Sequence, residues 1–142
     1  MFSKEESKQL RHKFWTSFGK SFPRKWTLYN TKIKDFSFKF YFDEKKAMVS
    51  LDIEDQELEN RIKYYEKLES LQAILKDEYL PDVVYMNTYN LDNGKEISRI
   101  YVELKNVSIH NKKTWRQAME FLNEKMGKFE NFWSEYEDFI KA

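Results

Sequence analysis

Residues 36–53 read FSFKFYFDEKKAMVSLDI. Phenylalanine occupies every second position from Phe36 to Phe42, and Ala47, Val49, Leu51 and Ile53 resume the alternation after the charged tetrapeptide Asp43-Glu44-Lys45-Lys46. A period of two built from aromatic and aliphatic side chains marks a half-buried strand, and two such runs joined by a short polar stretch predict a β-hairpin. With the turn centred on Glu44 and Lys45, Phe42 faces Ala47, Phe40 faces Val49, Phe38 faces Leu51 and Phe36 faces Ile53. All eight side chains then lie on one face. A slip of one residue would turn one strand's apolar set outward, so the register is strongly specified.

A second hairpin follows from Asp92-Asn93-Gly94. Asn-Gly at the two central positions fits a type I′ turn, whose positive φ angles these residues tolerate best. That register sets Leu104 against Val83 and Val102 against Tyr85, and Lys105 opposite Asp82. Arg99, Tyr101, Glu103 and Lys105 occupy the other, polar face.

Helices flank these hairpins. Ser3-Lys4-Glu5-Glu6 spells a capping box, so a helix begins there, with Leu10, Phe14 and Phe18 on one stripe and Gly19 and Pro23 at its end. Leu58, Ile62, Tyr65, Leu68, Leu71, Leu75 and Tyr79 recur every three or four residues, which predicts an amphipathic helix of about six turns, N-capped by Asp55 and stopped by Pro81. The last helix opens near Asn111 or Thr114, and Trp115, Met119, Leu122, Met126, Phe129, Trp133, Tyr136 and Ile140 repeat at alternating steps of four and three. That repeat permits a coiled-coil homodimer. Phe121, Phe132 and Phe139 widen the apolar face beyond a two-stranded seam and favour packing on the domain's own sheet; Gly127 is a candidate kink.

The chain, 142 residues long, fits one α+β domain. The expected order is helix, short strand, hairpin, helix, hairpin, helix, with an antiparallel sheet covered on at least one face and polar outer sides facing water. No cysteine is present, which excludes disulfides, thiol catalysis and cysteine-ligated zinc and points to a cytoplasmic setting. No apolar run is long enough to span a membrane, and MFSKEESK lacks the apolar core of a signal peptide.

The net charge of +1 hides an asymmetry: residues 1–46 hold 12 Lys/Arg against 5 Asp/Glu, and residues 47–142 hold 13 against 19. Two outcomes are open. The halves neutralise each other in the fold, or the basic part is a footprint for an anion. Within it Lys20, Arg24, Lys25, Lys32 and Lys39 are interleaved with Trp26 and Tyr29, a composition suited to phosphates and stacked bases. A short strand near Trp26–Asn30, with its tryptophan in the core, explains the same letters.

Pro81-Asp82 with Glu103-Leu104-Lys105 spells the PD…ExK pattern of restriction-type nucleases, in which two carboxylates hold a divalent metal and a lysine assists the attacking water. The register above sets Asp82, Glu103 and Lys105 on one face. An Asp82–Lys105 pair is also an ordinary cross-strand ion pair, and the strands that would carry the motif in that fold, Phe36–Phe42 and Ala47–Ile53, offer Asp35, Asp52 and Glu54 without a following lysine. His12 and His110 are far apart in sequence and without neighbouring ligands, which argues against a metal site or triad. With three glycines there is no phosphate-cradling loop.

Phe14-Trp15, AMVSLDI, NGKEISRIYVEL, SIHNKKTW and the late FWSEYEDFI together resemble the bacterial family known as domain of unknown function 4268, over essentially the whole chain. The resemblance implies an accessory module near DNA-processing or defence systems, found alone or after a restriction-like nuclease domain. It assigns no catalytic residues and no cofactor. The expectation is a non-catalytic binding module for nucleic acid or a protein partner, the alternatives being a metal-dependent nuclease and a self-associating structural protein.

Overall fold

The computed structural model describes residues 2–142. Helix α1 (Lys4–Ser21) is followed by strands β1 (Phe36–Phe42) and β2 (Lys46–Ile53), helices α2 (Leu58–Ser70) and α3 (Gln72–Glu78), strands β3 (Val84–Asn90) and β4 (Glu96–Lys105), and helix α4 (Trp115–Lys141). The four strands form one antiparallel sheet in the order β1-β2-β4-β3, giving an α+β fold.

The first hairpin adopts the expected register: Phe36 pairs with Ile53, Phe38 with Leu51, Phe40 with Val49 and Phe42 with Ala47. Its turn is held by the Asp43 carboxylate, which accepts from the backbone N–H of Lys45 and Lys46 at 2.7 and 2.8 Å. That side chain takes the place of a glycine turn. On the inner face, Phe38 and Leu51 are fully buried. Helix α4 lies over them, with the Phe129 ring 5.8 Å and the Trp133 ring 5.9 Å from Phe38. Helix α1 closes one end of the core, where Phe14 meets Phe42 at 4.5 Å and Trp115 at 5.3 Å. Ser3 caps α1 through the reciprocal bonds that its sequence predicts.

Four expectations are corrected. The second hairpin is shifted by two residues, pairing Val84 with Tyr101 and Tyr85 with Ile100. One residue of the shift comes from the turn and the second from an irregularity between Met86 and Tyr89. Leu91 and Lys95 close a three-residue loop in which Gly94 takes φ +86°, the arrangement of a type I turn followed by a left-handed residue rather than a type I′ turn. The long middle helix is broken at Leu71. The Ser70 hydroxyl donates to the Lys67 carbonyl at 2.6 Å, and the Leu71 N–H turns to Leu68 instead. Asp55 does not cap it, since Glu57 is the capping position and its side chain makes no capping bond to the helix backbone. No strand forms near Trp26, because Leu28, Lys32 and Asp35 take φ of 37°, 63° and 56°, values that break an extended run.

Helix α4 is continuous through Gly127. Its repeat is consumed internally: Trp115, Met119, Leu122, Met126, Phe129, Trp133 and Ile140 are all buried, which leaves Phe139 as its large exposed apolar residue.

The outer face of the sheet is less wet than alternation alone implies. Met48, Ser50, Asp52, Ile97 and Arg99 alternate outward yet are buried. A register shift between Met86 and Tyr89 bends β3, and the hairpin tip Tyr89–Asp92 lines one cavity with Tyr41 of β1 and Met48 of β2. The tip covers the part of the outer face around Arg99, whose guanidinium lies against the Tyr89 ring.

Candidate functional site

The basic stretch between α1 and β1 is an irregular strap along the free edge of β1. The Phe38 N–H donates to the Leu28 carbonyl at 3.1 Å, and the Thr31 hydroxyl donates to the Phe36 carbonyl at 2.6 Å, so the strap occupies edge groups that would otherwise be open. Its far side is anchored to α4. Glu130, nearly buried, accepts from Arg24 Nη2 at 2.9 Å and from the Thr27 N–H. The Arg24 guanidinium lies 4.5 Å over the Trp26 ring, and that ring meets Phe40 edge-on at 5.3 Å. Gly127 leaves room for the arginine: a methyl there would stand 3.4 Å from Arg24 Nη1.

The basic candidates therefore divide. Arg24 is tied to Glu130 and Trp26 is packed into the core edge. Lys39 lies 2.7 Å from Glu54 and 3.7 Å from the buried Asp52. Lys20, Lys25 and Lys32 remain exposed. Residues 1–34 hold nine Lys/Arg and only Glu5 and Glu6. Of the nine, Arg24 alone has a carboxylate within ion-pairing distance among the described residues. The Lys112 ammonium adds to this flank, and its pKa is lowered by the hydrogen bond and charge of Lys13 beside it. Neutralisation between the halves is real for Arg24, Lys39 and Lys46 and does not reach the rest.

The three residues of the nuclease pattern fall as follows. Asp82 is exposed in the turn before β3 and outside the ladder, so the expected Lys105–Asp82 pairing is not formed. Glu103 lies 3.4 Å from the Lys46 ammonium and 3.9 Å from that of Lys105. Lys105 pairs across the ladder with Lys46. Among the described residues no three His, Cys, Asp or Glu side chains converge to hold a metal ion.

His110 is not isolated, contrary to the sequence expectation. Its Nε2 is 2.9 Å from the Ser7 hydroxyl and its Nδ1 is 3.8 Å from Glu44, with the Phe2 ring stacked at 4.5 Å. The residue types are those of a nucleophile, a base and an orienting carboxylate. The neighbouring cavity of about 260 Å³ is walled by Phe2, Glu6, Gln9, Leu10, Lys13 and Lys112, and none of the three groups lines it. The three groups join α1 to the first turn and to the loop before α4.

A larger cleft of about 610 Å³ lies beneath the hairpin tip. On its floor Arg99 grips Asp52 through Nε and Nη2, both at 2.8 Å, and its guanidinium lies 4.4 Å over the Tyr89 ring. At the rim the Tyr41 hydroxyl donates to Asp43 at 2.7 Å. Burial, then that bond and the Asp43 charge, push the Tyr41 phenol up to about 12 from an ordinary 10.0. The bond needs the protonated phenol, so its stabilisation is complete below pH 10.0 and disappears as the pH rises toward about 12. Carbon-13 NMR of labelled tyrosine is expected to show Tyr41 titrating near 12 in the native chain and at a lower midpoint, still held above 10.0 by burial, in Asp43→Asn, which keeps the acceptor for the turn. An unchanged midpoint in that variant contradicts the assignment.

Together these features define the class: an α+β domain with a strapped sheet edge, a roofed outer face and an unpaired basic flank. The chain belongs to the family described as Domain of unknown function (DUF4268), whose model matches residues 10–137. No curated protein and no solved structure matches the chain significantly.

Proposed function

We propose that the chain is a non-catalytic binding module that engages nucleic acid through the basic flank of α1 and the strap, as an accessory to nucleic-acid processing or defence. One observation carries the reading: Lys4, Lys8, Arg11, Lys13, Lys20, Lys25, Lys32 and Lys34 stand in the described structure without carboxylate partners. Unpaired ammonium groups on one part of a nearly neutral chain repel one another, and a polyanion relieves that repulsion while releasing its condensed counterions. Tyr29, 71% exposed on the strap among these lysines, offers a ring on which a base can stack.

The test is fluorescence anisotropy with labelled single-stranded and duplex DNA across a salt series. Binding is expected at low salt, with log affinity falling linearly in log salt by about 0.7 per single-strand phosphate contact. Lys20→Glu, Lys25→Glu and Lys32→Glu together should weaken binding at least about tenfold and flatten that slope. These side chains are solvated, so folding should be unchanged by circular dichroism. Absence of binding at low salt, or binding indifferent to the three charge reversals, contradicts the proposal.

A further inference from the structure

We infer that the roofed cleft on the outer sheet face is a separate small-ligand site for a nucleoside monophosphate, distinct from the basic flank. Its volume of about 610 Å³ falls within the roughly 300–1,000 Å³ typical of small-molecule sites. Two tyrosines, Tyr41 and Tyr89, belong to its lining with Lys45, Lys46 and Lys105, against two carboxylates, Asp92 and an Asp43 already bonded to Tyr41 and the turn. Rings that accept a flat heterocycle and cations that accept a phosphate occur there together.

Arg99 is what makes this more than a surface dip. Its side chain is 9% exposed, and Nε and Nη2 are committed to Asp52, so the guanidinium is immobilised before any ligand arrives. Its Nη1 makes no hydrogen bond to a carboxylate or carbonyl among the described residues, Tyr89 being the guanidinium's other polar neighbour, and the residue lines the cleft. A fixed donor in a partly desolvated setting binds an anionic oxygen more strongly than a mobile surface lysine does. Asn106, also in the lining, takes φ +65°. Asparagine tolerates that left-handed conformation, which turns the chain out of β4 at the cleft's edge. Neither the roof nor the Asp52–Arg99 clamp is needed by the basic flank, which lies on α1 and the strap.

The probes are adenosine monophosphate, adenosine and inorganic phosphate, titrated into the full chain and followed by amide chemical shifts. Adenosine monophosphate should bind saturably, with a Kd of roughly 1 mM or below and with shifts at Tyr41, Tyr89 and Asn106. Adenosine and phosphate should each bind at least about tenfold more weakly. Lys45→Ala with Lys105→Ala, both exposed and outside the core, should weaken the monophosphate about tenfold and leave adenosine unchanged. The charge reversals at Lys20, Lys25 and Lys32 should leave all three titrations unchanged, which separates failure of this site from failure of the nucleic-acid reading. A titration that does not saturate, shifts confined to α1 and the strap, or affinity unaltered in the double variant overturns the inference.

Discussion

Replacement of Asp52 by alanine is expected to lower stability by about 3–5 kcal/mol, the range for breaking a buried ion pair and leaving one charge uncompensated. Asp52 is fully buried, holds Arg99 through two bonds of 2.8 Å and has the Lys39 ammonium at 3.7 Å. Its loss leaves the Arg99 guanidinium, 9% exposed on the cleft floor, without the carboxylate that compensates its charge. Against a total stability of about 5–15 kcal/mol, this removes a large fraction of what holds the chain folded. Urea unfolding measures it directly. The double variant Asp52→Leu with Arg99→Leu should recover most of the loss, because the apolar replacement of a buried pair is often neutral. A single-variant loss below about 1 kcal/mol would mean that Arg99 is solvated and the outer face unroofed.

Phe38→Ala comes next, with an expected loss of about 3–5 kcal/mol. The ring is fully buried between the sheet and α4, with Phe129 and Trp133 as neighbours at 5.8 and 5.9 Å. Part of the loss is transfer of the ring to water, and the remainder is the cavity that an antiparallel sheet pinned on both sides of β1 cannot collapse to fill. Phe139→Ala is the matched control: the side chain is 49% exposed on α4, and the expected change is within about 0.5 kcal/mol. Comparable losses at the two positions would contradict the orientation of α4 on the sheet.

The contrast between the two hairpins shows where sequence reading stops. Phe36–Ile53 was legible to the residue because eight alternating apolar side chains penalise every other register and the Asp43 turn follows from the same pairing. In the second hairpin Asp92-Asn93-Gly94 admits both a two-residue and a three-residue loop. The choice depends on the bend in β3 that carries Tyr89 over Arg99, a contact between strands that no local pattern announces. The break at Leu71 was equally hidden, since the apolar stripe runs through it and only the Ser70 hydroxyl disturbs the ladder. Of the basic residues, the sequence distinguished neither Arg24, whose partner Glu130 is 106 positions away, nor Lys39, whose partners sit on the neighbouring strand and just beyond it, from the solvated Lys20, Lys25 and Lys32. His110 likewise meets Ser7 across 103 positions. Local chemistry is written in the letters; long-range ion pairing is not.

Every surface described above is placed by the pairing of β1 with β2. Because the Phe38 N–H points away from β2 to Leu28, Phe38 and Leu51 form the non-hydrogen-bonded kind of antiparallel pair, with Cα atoms only about 4.5 Å apart. The Hα protons of such a pair lie close enough for a strong nuclear Overhauser effect. A carbon-edited spectrum of the labelled chain should show that cross-peak between Phe38 and Leu51, together with contacts from the Phe38 ring to Phe129. A Phe38 Hα peak to Ser50 or Asp52 in its place, or none to β2, would contradict the register and the roofed sheet built on it.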